Sequence, residues 1–398
     1  MKIVNIVGAR PNFVKMAPLM RELRRQPSVV PILVHTGQHY DAVMSERFFR
    51  DLELPAPDFN LGVGSGSHAI QTAEVMRRLE PLLETTRPGL VLVVGDVNST
   101  LAAALTAVKL GIPVAHVEAG LRSFDRSMPE EVNRLLTDAI ADVLFVTEES
   151  GRQNLLREGI PPAKIHFVGN VMIDALDTFR SSWEDSAVFD YLGLEPGRPY
   201  GVLTLHRPSN VDDPAGLADL VEAFHELARH LPIVFPLHPR VKSRLLRQGY
   251  LARTKPESRE PFSSKGIAYV DALGYLDFIA LLSRARLVLT DSGGVQEETT
   301  MLGVPCLTLR TTTERPVTVT HGTNRVIGTD PGRIVEEALR TLDHPPTPSE
   351  PPPLWDGRAA TRIVEILLDG NEARGLDASS ASRAAEGLGA QLGSGERR

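Results

Sequence analysis

This chain of 398 residues has a single cysteine, no long apolar run and no excess of basic residues. Because Cys306 stands alone, no disulfide can form within the chain, and a reducing cytoplasmic location is expected. No apolar segment reaches the roughly 18 to 20 residues that span a bilayer. The net charge of −7 argues against a general nucleic-acid binder. We therefore expect a cytoplasmic protein that has neither a nucleic-acid nor a membrane partner.

The sequence also lacks the signature of a redox-cofactor site. A Gly-x-Gly-x-x-Gly fingerprint belongs in the first turn between a strand and a helix, where the backbone approaches a pyrophosphate. That fingerprint is missing after the first strand, and the glycine-rich stretch at 61–66 occupies a predicted loop. The histidines have no metal-ligand spacing with other candidate ligands. We expect no cofactor and no metal.

Short β-rich apolar runs alternate with amphipathic segments of helix length in both halves of the chain. Near-continuous apolar strands separated by helices are typical of a parallel sheet covered on both faces. Two such sets predict an α/β protein with two Rossmann-like, doubly wound domains that face a cleft. The predicted strands are 2–7, 30–36, 90–94, 113–117, 143–146, 201–205, 233–237, 267–270, 287–290 and 306–309.

Breaks in the pattern predict the domain boundaries. We expect an N-terminal Rossmann-like domain with the carboxylate candidates at 1–180, a linker at 181–199 and a second Rossmann-like domain at 200–355. A helix at 356–369 is expected to pack back near the interdomain region. Composition further predicts an exposed loop at 255–265 and a disordered tail at 370–398.

The stretch from Thr290 to Glu298 is the most informative motif, because an apolar strand enters it and a helical pattern leaves it. Ser292, Gly293 and Gly294 would let a phosphate approach the free N–H groups at the helix N-terminus. The alternative is a well-capped turn, with Asp291 or Ser292 as the N-cap.

Charged residues follow the predicted strands of the N-terminal half. Arg10 and Lys15 lie near the start of the first helix, where two cations could meet a pyrophosphate, or they are ordinary surface cations. Asp96 and Glu118 end two strands, and Glu130 with Glu131 follows Pro129. Carboxylates that share a cleft can serve as an acid and base pair, although the last two also suit a first helical turn.

Histidines follow strands of the C-terminal half. His206 precedes Arg207 after one strand, and His238 comes two residues before Arg240 after the next. Both histidines could bind phosphate or donate a proton. Arg315 adds a cation beyond the strand that contains Cys306. A nucleotide diphosphate that spans the cleft would satisfy all of these groups.

The chain resembles the non-hydrolysing UDP-N-acetylglucosamine 2-epimerases, which are two-domain relatives of the GT-B glycosyltransferases, over 1–368. The resemblance rests on short motifs that occur in the same order. These are Gly8-Ala9-Arg10-Pro11 with Lys15, His35-Thr36-Gly37-Gln38-His39, Gly95-Asp96, His116-Val117-Glu118, Pro129-Glu130-Glu131, Gly169-Asn170, His206-Arg207, the stretch from Asp291 to Glu298, and Thr313-Glu314-Arg315-Pro316.

The resemblance implies a GT-B-like fold, a UDP-sugar substrate, no added cofactor and a homodimer. Its reaction eliminates UDP to form 2-acetamidoglucal and then re-adds UDP, which converts UDP-GlcNAc to UDP-ManNAc. By similarity, Asp96, Glu118 and Glu130 transfer protons, Lys15 supports the site and His206 lies near the diphosphate. The residues that look like UDP ligands are Arg10, His206, Ser292, Gly293, Gly294 and Glu298, with Phe278 on uracil or, alternatively, in the helix core.

Substrate identity and regulation stay open at this point. Pro208-Ser209-Asn210 departs from the pattern of many bacterial members, and activation by a second substrate molecule is undecided. Relatives that epimerise a UDP-diacetamido uronate share the first motifs and are the main alternative. A hydrolysing epimerase, a GT-B glycosyltransferase and a sugar-nucleotide-binding regulatory protein are the others.

Overall fold

A computed structural model describes residues 1–38, 48–251, 266–347 and 350–373. The exposed loop predicted at 255–265 lies outside the described residues, as does the tail from 374 onward. His39, which belongs to one of the motifs, also falls outside them. No helix within the described ranges is long and apolar enough to cross a bilayer.

The N-terminal half forms a seven-stranded sheet in the order β3-β2-β1-β4-β5-β6-β7. Every neighbouring pair in it is parallel. The strands are β1 (Lys2–Val7), β2 (Val30–His35), β3 (Phe59–Asn60), β4 (Leu90–Val94), β5 (Val114–Ala119), β6 (Val143–Val146) and β7 (Ile165–Phe167).

The C-terminal half forms a six-stranded sheet in the order β10-β9-β8-β11-β12-β13, also parallel throughout. The strands are β8 (Gly201–Thr204), β9 (Ile233–Leu237), β10 (Ile267–Asp271), β11 (Leu287–Thr290), β12 (Cys306–Thr308) and β13 (Asn324–Val326). The two sheets confirm the predicted fold class.

Helices connect the strands because parallel neighbours require crossover connections. In the N-terminal half they are α1 (Arg10–Arg24), α2 (His68–Thr86), α3 (Asn98–Lys109), α4 (Pro129–Ile140), α5 (Glu149–Arg157) and α6 (Val171–Thr178). The following helices are α7 (Arg180–Glu184), α8 (Val188–Leu192), α9 (Pro208–Val211), α10 (Pro214–Leu227), α11 (Pro239–Arg247), α12 (Tyr275–Ser283), α13 (Gly293–Leu302), α14 (Val317–Thr320), α15 (Pro331–Asp343) and α16 (Ala359–Ala373).

The strand order places the loops that carry the candidate residues. In each sheet the first strand in sequence is an interior strand, and the order in which strands are added reverses across the pair β1/β4 or β8/β11. Loops diverge at such a switch point and leave a crevice beyond the carboxyl ends of the strands. Arg10 and Asp96 border this crevice in the first sheet, and His206 and Ser292 border it in the second.

One apolar cluster runs through both halves of the molecule. It includes Val7 in the first sheet, Val288 in the second, and side chains of α6 and α12. Helix α16 packs against α1 and α6, and its Ile363 is fully buried in the same cluster. Helix α16 therefore returns to the N-terminal half, and apolar packing holds the two halves together on that side.

Candidate active site

Glu118 has a strained backbone at the carboxyl end of β5. Its φ is +74°, and the pairing register of β5 with β6 shifts between Val117 and Ala119, as it does at a β-bulge. A residue other than glycine held at positive φ costs on the order of 1 to 3 kcal/mol, and such strain concentrates at functional sites. The Glu118 side chain is buried. The bulge thus directs a carboxylate to a place that a regular strand would not reach.

Two cations hold the Glu118 carboxylate. Lys15 from α1 is buried and pairs with Oε2, and Arg315 Nη2 from the C-terminal half donates to Oε1 at 2.7 Å. Gly95 leaves room for the first contact, because a Cβ there would lie 3.1 Å from Lys15 Nζ and 3.2 Å from Glu118 Oε2. The structure therefore brings together Lys15, Glu118 and Arg315, which the sequence predicted as separate site residues.

Asp96 lies beside this group and is held by Arg134. The guanidinium of Arg134 pairs with Asp96 Oδ2 and, through Nη2, with Glu131 Oε2 at 2.6 Å. Burial raises the pKa of Asp96, but the positive charges of Arg134, Lys15 and Arg315 outweigh it and lower the pKa below its ordinary value. Asp96 is therefore an ionised carboxylate at neutral pH, and its side chain is 24% exposed.

Glu131 and Glu130 have different environments although they are adjacent. Glu131 is buried and accepts hydrogen bonds from the backbone N–H groups of Ser123 and Phe124. It therefore fixes the loop between β5 and α4 and supports Arg134. Glu130 is half-buried in the first turn of α4, and among the described residues its carboxylate makes no hydrogen bond or ion pair.

His206 is oriented by the buried carboxylate of Asp291. Asp291 accepts hydrogen bonds from the backbone N–H groups of His206 and Arg207, and its Oδ1 lies 2.7 Å from His206 Nδ1. Burial raises the pKa of Asp291, but the charge and hydrogen bond of His206 and the backbone donors lower it overall. The ionised Asp291 thus favours a proton on Nδ1 and directs Nε2 of His206 away from itself.

His238 sits beside His206, with 6.0 Å between the ring centroids. It is the N-cap of α11, and its Nδ1 accepts the backbone N–H of Arg240 at 3.2 Å. A neutral His238 therefore carries its proton on Nε2. The two histidines lie together beyond the ends of the neighbouring strands β8 and β9.

The N-terminus of α13 lies where the motif predicted it and has no side-chain cap. Ser292 is the N-cap residue and makes no side-chain capping bond, and Asp291 is committed to His206 and Arg207. Gly293 is required by packing, since a Cβ there would lie 2.2 Å from Arg315 Nη1. At Gly294 a Cβ would make only an ordinary contact with Met172. The alternative of a well-capped turn is wrong for this end of α13.

The remaining candidates are more dispersed. Glu298 is buried in α13, and burial, followed by the charge of Glu297, raises its pKa to about 8. Phe278 on α12 is half-buried and packs against the apolar cluster. Arg10 is half-buried at the start of α1, with its guanidinium 5.7 Å from the ring centroid of Phe48.

Sequence reasoning missed the supporting ion network. Arg315 Nε donates to Glu297 Oε1 at 2.7 Å, and Arg315 Nη1 donates to Glu314 Oε1 at 2.6 Å. Glu314 also forms ion pairs with Arg310, whose Nη2 lies 2.6 Å from Oε2, and with Arg207, whose Nη2 lies 3.3 Å from Oε1. Most of these charged residues belong to motifs noted in the sequence, but only the fold shows which carboxylate pairs with which cation. No group of three His, Cys, Asp or Glu side chains suited to a metal occurs among the described residues.

A family model described as UDP-N-acetylglucosamine 2-epimerase matches residues 21–368. The chain belongs to this family. It is 42% identical over 376 residues to the UDP-N-acetylglucosamine 2-epimerase of Methanocaldococcus jannaschii, covering 93% of this chain and 100% of that relative. It is 41% identical over 371 residues to the UDP-2,3-diacetamido-2,3-dideoxy-D-glucuronate 2-epimerase of Pseudomonas aeruginosa, covering 92% and 99%.

A solved structure of the same family has the same architecture. It is the Methanocaldococcus jannaschii UDP-GlcNAc 2-epimerase in complex with UDP-GlcNAc and UDP, with a TM-score of 0.84 and 41% identity. The match covers 92% of this chain and 99% of that one. Family membership makes this chain an epimerase with a GT-B-like fold, and the roles of individual residues then depend on the geometry described above.

Proposed function

We propose that this epimerase interconverts UDP-GlcNAc and UDP-ManNAc by elimination and re-addition of UDP. A base removes the C2 proton while the bond from C1 to the diphosphate oxygen breaks, which gives 2-acetamidoglucal and UDP. A proton then returns to the opposite face of C2 as the diphosphate oxygen attacks C1. Atoms and charges balance without an oxidant, whereas direct deprotonation at C2 is costly because no carbonyl adjoins that carbon.

The observation that carries this proposal is the pair of anchored carboxylates, Glu118 and Asp96, at the carboxyl end of the first sheet. Each is bound by a buried cation, and Arg315 reaches Glu118 from the C-terminal half. Carboxylates fixed by ion pairs have a defined direction for proton transfer. The histidine pair and the N-terminus of α13 lie at the carboxyl end of the second sheet, where they suit a diphosphate.

The candidate roles follow from these positions. Asp96, Glu118 and Glu130 are the proton-transfer groups, of which Glu130 alone lacks a partner among the described residues. Lys15 fixes Glu118. The UDP-binding groups are Arg10, His206, His238, Phe278, Ser292, Gly293, Gly294 and Glu298.

Proton NMR of the purified protein with UDP-GlcNAc in heavy water, without added cofactor, tests the reaction. We expect UDP-ManNAc with deuterium at C2 and a trace of 2-acetamidoglucal with UDP. Asp96→Asn should abolish turnover while UDP binding and folding are kept. Transfer of the sugar to an acceptor, release of free ManNAc, or full function of Asp96→Asn would each contradict the proposal.

A UDP-diacetamido uronate is the second candidate substrate, since a relative with that activity is 41% identical. Its extra carboxylate would need a cation, and Arg310 offers one: Arg310 Nη1 is buried and has no hydrogen-bond partner within the described chain. Turnover of both substrates should be compared under the same conditions. If kcat/KM is higher for the uronate, the uronate becomes the proposed substrate in place of UDP-GlcNAc.

A further inference from the structure

Arg315 binds three carboxylates that come from three different segments. Nε donates to Glu297 of α13, Nη1 to Glu314 and Nη2 to Glu118 of the first sheet, at 2.7, 2.6 and 2.7 Å. The residue is 5% exposed. Every nitrogen of the guanidinium thus already has an anionic partner. These three ion pairs fix the Arg315 side chain. They leave it less suited to bind UDP directly than to hold the carboxylates in place.

The surrounding residues are shaped to hold Arg315 in this place. Gly293 has no Cβ that would collide with Nη1, and the carboxylate of Glu314 is itself held by Arg310 and Arg207. A planar guanidinium contacts several carboxylates at fixed angles, whereas a lysine ammonium is a point charge on a flexible stem. The site therefore depends on arginine at position 315 and not only on a positive charge.

Glu118 receives its two cations from opposite sides of the cleft. Lys15 lies on α1, in the same half as Glu118. Arg315 lies in the C-terminal half and reaches Glu118 Oε1 from there. If the two halves separated at the cleft, Glu118 would keep Lys15 and lose Arg315. Both oxygens of Glu118 are fixed only when the halves are in contact.

We propose that Arg315 is a positioning residue that orients Glu118 for proton transfer when the two halves meet, so that closure completes the catalytic site. The inference rests on the proposed epimerisation. Arg315 acts through Glu118 and does not bind the diphosphate. It therefore makes the chemical step depend directly on the contact between the halves, whereas UDP affinity depends on that contact only through the equilibrium between open and closed arrangements.

Arg315→Lys tests this role, with Arg325→Lys as the matched control. Arg325 lies in the same half, pairs with Glu337 on the surface and is 39% exposed. Arg315→Lys should lower kcat by about 100-fold, the scale of a misplaced catalytic group, and slow C2 proton exchange equally. The dissociation constant for UDP, measured by calorimetry, should change far less than kcat, because Arg315 affects UDP binding only through the closure equilibrium. Arg325→Lys should match wild type in both measurements.

Non-additivity gives a second readout that a merely structural role would not produce. Glu118→Gln should lower C2 proton exchange, and adding Arg315→Lys to Glu118→Gln should lower it no further. If Arg315→Lys does not fold, Arg315→Gln with Glu297→Gln removes one charge of each sign and takes its place. A wild-type kcat in the folded variant, additive losses, or a loss confined to UDP affinity would overturn the inference. An inactive wild type would instead contradict the proposed reaction.

Discussion

Gly95 shows at the scale of one residue how backbone and site chemistry are linked. Its φ is +66°, and a Cβ there would press on both Lys15 and Glu118. Gly111 has nearly the same backbone, with φ of +70°, yet a Cβ there would meet nothing within 4 Å. The two glycines therefore separate the cost of the conformation from the cost of the contact.

We predict that Gly95→Ala and Gly111→Ala each lower the free energy of unfolding by roughly 1 to 2 kcal/mol, because alanine is strained at positive φ. Only Gly95→Ala should also lower kcat, since it moves the ion pair between Lys15 and Glu118. Urea unfolding and epimerase assays on both variants check this. Equal kcat values in the two variants would show that the ion pair tolerates the added methyl group.

Glu148 is a buried carboxyl that the proposed reaction does not use. Burial raises its pKa to about 7; the hydroxyl of Ser150 opposes the rise, the charge of Glu297 reinforces it, and Arg315 opposes it. Its Oε2 is buried and has no hydrogen-bond partner within the described residues. Since the folded pKa is above the ordinary 4.5, the folded state binds more protons between these values, so stability falls as pH rises toward 7.

We predict that Glu148→Gln is more stable than wild type above pH 7 and equal to it below about pH 4.5. The gain is roughly 3 kcal/mol at most, because each unit of pKa shift corresponds to about 1.4 kcal/mol. Thermal unfolding at pH 8 and at pH 4.5 measures it. Glu149→Gln, at an adjacent side chain with 50% exposure, is the matched control and should change little. Equal stability of wild type and Glu148→Gln at pH 8 would show that burial does not raise the pKa of Glu148.

At the scale of elements, a carboxylate on another helix caps the C-terminal helix α16. Asp174 of α6 accepts the N–H groups of Ala359 and Ala360 at 3.1 and 2.6 Å. These are among the four N–H groups that the first turn of a helix leaves without an internal partner. Arg362 Nη1 adds a bond to the carbonyl of Val168 at 3.0 Å. These hydrogen bonds thus fix the N-terminus of α16, which the packing of its apolar face alone would not fix.

We predict that Asp174→Ala lowers the free energy of unfolding by about 1 to 2 kcal/mol, as loss of an N-cap does. Asp174→Asn should cost less, because its amide oxygen still accepts one N–H. Hydrogen exchange should quicken in α16 and α1 for the alanine variant, and exchange in α10 of the other half provides the internal reference. Uniform quickening across both halves would mean that Asp174 stabilises the whole fold and not this helix.

The sequence predicted the long elements better than the short ones. Buried parallel strands such as β4 are continuous apolar runs between helical patterns, so they could be located without a structure. The edge strands β3, β7 and β13 have two or three residues each and were not predicted. No local pattern identifies them, because pairing with a neighbouring strand defines them.

The candidate site was predictable as a set of residue types at strand ends, but not as a network. Parallel topology brings those ends together, which is why Asp96 and Glu118 could be grouped beforehand. The partners of each charge depend on side chains from distant segments. The role of Arg134 beside Asp96 and the bulge at Glu118 therefore required the structure.

At the scale of the whole molecule, two different kinds of contact join the halves. On one side, the apolar cluster continues from α1 and α16 through α6 to α12. Across the cleft, the contacts include the ion pair of Arg315 with Glu118 and the approach of Arg207 Nη1 to Met128 Sδ at 3.5 Å. Separating the apolar side would expose a large area to water, whereas the ionic groups regain hydration when they part. Motion should therefore rotate the halves about the apolar side.

We predict that UDP compacts the molecule, because a diphosphate bound at the second sheet would attract the cationic groups of the first and favour the closed arrangement. Small-angle scattering with and without UDP should show a smaller radius of gyration in its presence. Uridine, which lacks the phosphates, should cause less compaction at equal saturation and is the ligand control. Identical dimensions in all three samples would mean that the halves stay closed without ligand, and closure could then not be the event that brings Arg315 to Glu118.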